Sequence, residues 1–122
     1  MVRSVRWVGV ATERYTAMVD LLESTMGMQK RFEERTTVEF ATEDGDAIQI
    51  MAPGDRYFAF FTEHATGPVP LFEVDDVHQA RGELESAGVQ IIGEPGQDSD
   101  WEWLHFRAPD GNLYELASRR RG

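Results

Sequence analysis

The sequence predicts an α+β fold: two βαβββ modules whose strands form a partly closed, curved mixed β-sheet around a cavity, with the helices outside. Three observations predict it. Short segments alternate apolar and polar residues with a period of two, as half-buried strands do. Two longer segments repeat their apolar residues at helical spacing. The order strand, helix, three strands then occurs twice, offset by roughly sixty residues, the length of one small module. A unit of that size leaves one sheet face bare, and pairing two copies covers it. The 122 residues therefore read as one domain, 1–122, with modules over about 1–62 and 68–122. A ferredoxin-like sandwich is the simpler rival, with similar element counts but fewer strands per unit.

In the first module, residues 4 to 11 alternate as a strand. Tyr15, Met18, Val19, Leu22 and Met26 then fall on one helix face, with Thr12 as N-cap and Gly27 placed to end the helix in a left-handed turn. Between Gln29 and Ala52 the pattern suits short strands. Val38 and Phe40, then Ile48 and Ile50, alternate around the turn Glu43-Asp44-Gly45-Asp46, and Pro53 and Gly54 close the run. Tyr57 to Phe61 is either a further strand or an aromatic linker, because five residues are too few for periodicity to decide.

A loop of small and polar residues, Thr62 to Pro68, leads to the strand Val69 to Val74. Asp76 and Gln79 form the two ends of a capping box. Val77, Ala80, Leu84 and Ala87 make the apolar stripe of a helix that ends at Gly88. Strands follow at Val89 to Ile92, Trp101 to Arg107 and Asn112 to Ser118. The last two are joined by Ala108-Pro109-Asp110-Gly111, in which proline presets its own φ and glycine tolerates a positive one.

Composition narrows the function. No stretch approaches the ~18 apolar residues of a membrane span, and the alternating start reads as a strand rather than a signal peptide, so a cytoplasmic protein is expected. Without cysteine there is neither a disulfide nor a thiolate metal site nor a cysteine nucleophile. The formal charge of −10 argues against nucleic acid, whose binding needs a basic stripe. Arg119, Arg120 and Arg121 are the one basic cluster and read as a solvated tail. The acidity favours solubility and would attract a cationic ligand.

Three strings carry a family resemblance: Phe72-Glu73-Val74-Asp75-Asp76-Val77, the helix end Ala87-Gly88-Val89, and Pro109-Asp110-Gly111-Asn112-Leu113-Tyr114-Glu115-Leu116. Together they resemble the second module of the vicinal oxygen chelate superfamily, the group of glyoxalases, bleomycin resistance proteins and extradiol dioxygenases. Val8 to Met28 is similar to its first module. The resemblance implies a cavity for a small organic molecule and a homodimer. In the metal-dependent members, each module supplies two ligands from inward-facing strand positions, usually a histidine or glutamine and a glutamate. Those positions fall at Trp7, Gln49, Val69 and Glu115. Tryptophan and valine offer a metal no lone pair, so no metal or other cofactor is expected, Gln49 and Glu115 being the two ligand-type residues left. A metal-dependent lyase, isomerase or dioxygenase is the alternative.

The hairpin turn sets a further constellation. If Arg107 faces Leu113, then His105 lies opposite Glu115 and both point into the cavity, with Trp103 two residues earlier. Position 105 is similar to one from which some family members aim a tyrosine or histidine at substrate. His105 and Glu115 are the candidate catalytic pair, able to move a proton or grip a polar ligand; the alternative is a satisfied hydrogen-bonded pair. Trp7, Trp103 and Trp101 would give the cavity flat walls or else fill it. The candidate ligand-binding set is therefore Trp7, Gln49, Val69, Trp103, His105 and Glu115. Phe58, Phe60 and Phe61 read as core or dimer contact, and His64 and His78 as surface residues. Glu94, Asp98, Asp100 and Glu102 read as a solvated loop or an acidic rim. The expected function is metal-independent binding of a small planar or cationic molecule, by sequestration or with metal-free catalysis.

Overall fold

The computed structural model describes residues 1–121. The first module runs β1 (Val2–Ala11), α1 (Tyr15–Asp20), β2 (Gln29–Glu34), β3 (Thr37–Ala41) and β4 (Ala47–Met51). After α2 (Phe58–His64), the second runs β5 (Val69–Val74), α3 (Val77–Ser86), β6 (Ile91–Gln97), β7 (Trp101–Arg107) and β8 (Leu113–Arg119). Among the described residues the strands form a single sheet in the order β2-β3-β4-β1-β5-β8-β7-β6. Each module has one parallel pair, β1 with β4 and β5 with β8, and the modules meet where β1 and β5 pair antiparallel. This is the predicted α+β architecture.

The register exposes an internal two-fold. Trp7 pairs with Leu71 and Gly9 with Val69 across the central seam, while Gly9 lies beside Gln49 and Leu71 beside Glu115. Exchanging the modules therefore places Trp7 on Val69 and Gln49 on Glu115.

Two helices cover the outer face, as expected. α1 and the turn after it bury Leu22 against Val38, Phe40 and Ile50. α3 buries Val77 and Ala80 against Val74, Leu104 and Leu116. The larger of these, Leu22 and Val77, each contribute ~1.5–3 kcal/mol by leaving water. The Asp76 carboxylate accepts from the N–H groups of His78 and Gln79, so the acidic half of the expected cap forms. Gly27 and Gly88 both adopt positive φ where the outer helical segments end. At the β7–β8 turn, the Tyr114 hydroxyl and the Asn112 N–H donate to Asp110 and hold its carboxyl below the usual carboxylate range.

Four expectations are corrected. Thr12 does not cap α1; its hydroxyl accepts from the Arg14 N–H and the helix starts later, at Tyr15. Met26 is 61% exposed because Leu21–Thr25 widens into a π-helical turn, which rotates later residues off the apolar face. β6 begins at Ile91 rather than Val89 and continues to Gln97. The aromatic run after Tyr57 is neither strand nor linker but the short helix α2, which lies against the inner face of the sheet. There Phe61 packs with Met51, Val69, Ile92 and Leu113. No helix of the described residues is long and apolar enough to cross a membrane.

Candidate functional site

With α2 filling one end of the concave face, the other end is left as a cavity of about 640 Å³. All three tryptophans line it. Trp7 lies folded over Gly9 of its own strand and meets Phe61 edge-on, with ring centroids 6.3 Å apart. A methyl group at Gly9 would collide with both rings. Trp103 lies on the backbone of its cross-strand partner Gly96 in the same way. A third ring, Phe60, covers Gly93. Trp101 is flanked by guanidinium groups, Arg119 at 4.6 Å and Arg6 at 5.4 Å from the ring centroid.

Strand irregularities decide which neighbours join these rings. In β1, Arg6 falls outside the register between the pairs Val5–Phe72 and Trp7–Leu71. In β2, Arg31 does so between Lys30–Phe40 and Phe32–Glu39. A bulge lets consecutive side chains share a face, and Arg6 with Trp7, and Arg31 with Phe32, all reach the cavity. On β8 the ordinary alternation brings Glu115, Ala117 and Arg119 to it. Arg56 stacks on Tyr57 and donates to its hydroxyl at 2.9 Å, a bond that favours the charged guanidinium.

Two polar units stand among the rings. The Trp7 Nε1–H donates to Gln49 Oε1 at 3.2 Å, Gln49 Nε2 donates to Thr37 Oγ1 at 2.8 Å, and the Thr37 hydroxyl donates to the Ile50 carbonyl at 2.8 Å. The second unit is His105 Nε2 against Glu115 Oε1 at 3.0 Å, with side chains only 4% and 10% exposed. Their strands hold the register expected from the turn, Arg107 opposite Leu113 and His105 opposite Glu115. Phe60 and Phe61 pack on the imidazole at centroid distances of 5.0 and 5.7 Å.

The structure thus brings Trp7, Gln49, Trp103, His105 and Glu115 to one cavity. Val69 it does not: the side chain is fully buried beneath α2, and Leu71 lines the wall instead. Phe61 belongs to both core and cavity. His64 is a half-buried residue, not a surface one, its ring tilted against Phe60 at a centroid distance of 4.9 Å and its carbonyl accepting from Arg107. His78 is exposed beside Glu102, outside the cavity. Of the four loop acids, Asp98 reaches the rim, where it accepts from the N–H groups of Asp100 and Trp101.

The donor set does not fit a divalent metal. Of the four positions that would supply ligands, one is an indole whose N–H only donates and one is an alkyl group under a helix. The Gln49 oxygen is taken by that indole, and Glu115 by His105. Among the described residues, no group of three or more histidine, aspartate or glutamate side chains is placed to hold an ion.

Residues 4–116 match the family model described as Glyoxalase/Bleomycin resistance protein/Dioxygenase superfamily. The chain belongs to that superfamily. No curated protein matches it significantly. Solved structures share the superfamily fold at low identity. A hypothetical protein from Bacillus halodurans C-125 has 15% identity and a TM-score of 0.75, over 98% of this chain and 96% of that one. Methylmalonyl-CoA epimerase from Mycobacterium tuberculosis has 20% identity and a TM-score of 0.70, over 98% and 90%. The Mn(II)-bound glyoxalase from Novosphingobium aromaticivorans has 20% identity and a TM-score of 0.72, with 96% of this chain covering 39% of that one.

Proposed function

We propose that this superfamily member binds a small, planar organic molecule in its tryptophan-walled cavity, without a catalytic metal. The carrying observation is that Trp7 and Gln49, at two ligand positions implied by the resemblance, are spent on each other within a cavity that all three tryptophans line. Stacking on such rings adds ~0.5–1.5 kcal/mol per pair beyond area burial. Sequestration of a toxic aromatic compound, as in resistance proteins, is the simplest use of such a site. His105 and Glu115 are the pair that would contact a polar ligand group, and their 3.0 Å bond also supports a second reading, proton transfer without a metal. Pairing of two chains and a cytoplasmic location stay part of the proposal, although one chain already supplies both walls of the cavity.

Every tryptophan lines the cavity, so a planar ligand is expected to quench most of the intrinsic emission and to raise the melting temperature by mass action. Trp103→Ala should weaken that binding about ten-fold or more, the loss of one stacking partner and its buried area. Unchanged affinity in that variant would move the site elsewhere. Stoichiometric zinc, nickel, manganese or iron in protein purified without chelator would replace this reading with a metal-dependent lyase, isomerase or dioxygenase.

A further inference from the structure

The protein as a whole is strongly acidic, 22 acids against 12 basic residues, but the unspent capacity of its cavity is not. Four of the acids that line the cavity are already engaged. Glu39 is paired with Arg31, and Glu115 is bonded to His105. Asp55 accepts from the Thr36 hydroxyl and the Tyr57 N–H, and Asp98 from two backbone N–H groups. Of the lining arginines, Arg6 is bound to Glu73 at 2.9 Å and Arg31 to Glu39, while Arg56 lies over Tyr57 and spends an N–H of its fork on the Tyr57 hydroxyl. Arg119 differs. Among the described residues it has no carboxylate partner, and it lies over Trp101, its cross-strand neighbour, at 4.6 Å. Stacking uses the face of a guanidinium and leaves its in-plane N–H fork available, the geometry that receives a carboxylate or phosphate with two bonds. Among the described residues the one lining acid with no partner, Glu34, stands on β2, in the opposite arm of the sheet from β8.

We propose that the ligand carries an anionic group, a carboxylate, sulfonate or phosphate, which Arg119 receives beside Trp101 while the planar body lies against Trp103 and Trp7. This rests on the planar-ligand reading above and reverses the cationic preference that net charge alone suggests. Net charge acts at long range and is screened within about 8 Å at physiological salt, whereas the fork acts by contact.

The test uses three naphthalenes of one shape read by tryptophan quenching: naphthalene-2-carboxylate, its neutral carboxamide, and 2-(aminomethyl)naphthalene as the cation. The wild-type protein is expected to bind the carboxylate about ten-fold tighter than the carboxamide, with the cation weakest. Arg119→Gln should bring carboxylate and carboxamide within about two-fold of each other, the larger loss of affinity falling on the carboxylate. Equal binding of all three by the wild type, tighter binding of the cation, or a preference that survives Arg119→Gln overturns the anionic assignment and leaves the planar-ligand reading standing. Absence of quenching by any of the three, or affinities that Trp103→Ala does not alter, overturns both.

Discussion

Gly9→Ala is expected to close the cavity while leaving the sheet intact: the variant should melt roughly 10 °C below the wild type and lose tryptophan quenching by ligand. The added methyl group points at the Trp7 and Phe61 rings. Phe61 is 4% exposed and wedged among Met51, Val69, Ile92 and Leu113, so it has nowhere to go. Trp7 must yield instead, and the open volume beside it is the cavity itself. Moving the indole breaks its bond to Gln49 and leaves the amide oxygen without its donor. Overpacking of this kind costs about 1–3 kcal/mol, to which the lost hydrogen bond adds about 1. Alanine adds no polar atom and is the better residue inside a strand by about 0.5–1 kcal/mol, so backbone propensity acts in the opposite direction to the expected loss. Calorimetry and a fluorescence titration check the two halves together, and wild-type affinity in this variant would show that Trp7 does not border the ligand.

His105→Ala should destabilise the protein by about 3 kcal/mol, because it strands a buried carboxylate. Glu115 is 10% exposed at its side chain and its one described partner is the imidazole. The same substitution removes the ring on which Phe60 and Phe61 pack. His105→Gln keeps a donor and should recover part of the loss. The double variant His105→Leu with Glu115→Leu should cost less than the sum of its singles, since apolar residues replace both partners at once. Denaturant unfolding of the four proteins gives the coupling directly. A coupling near zero would mean that the two groups are not held together in solution.

The legible parts of the fold are those governed by strong local rules. β5 and β7 run over the residues expected from alternation, and the proline-glycine turn sets the β7–β8 register that joins His105 to Glu115. What stayed hidden needs information that local rules lack. A seven-residue helix carries fewer than two full turns of pattern, so α2 could not announce itself, and with it went the burial of Val69. Bulges break the period of two, so alternation alone does not bring Arg6 and Arg31 to the cavity face. Arg119 looked like part of a basic tail because nothing in the run Arg119-Arg120-Arg121 says that the first of them ends a strand. Gly93 and Gly96 gave a weak signal: glycine inside a strand often marks a place where another group comes close, here an aromatic ring.

The hydrogen-bonded ladder is continuous from β2 through the β1–β5 seam to β6, so the two halves are parts of one ribbon and not two bodies on a hinge. Gripping a guest by swinging domains is therefore denied to this molecule; closing the gap would mean coiling the whole ribbon against its own twist. Adjustment falls to ring rotations and to the arginine arms at the mouth. The backbones of the empty and filled forms should superimpose to within about 1 Å, as in other preorganised receptors.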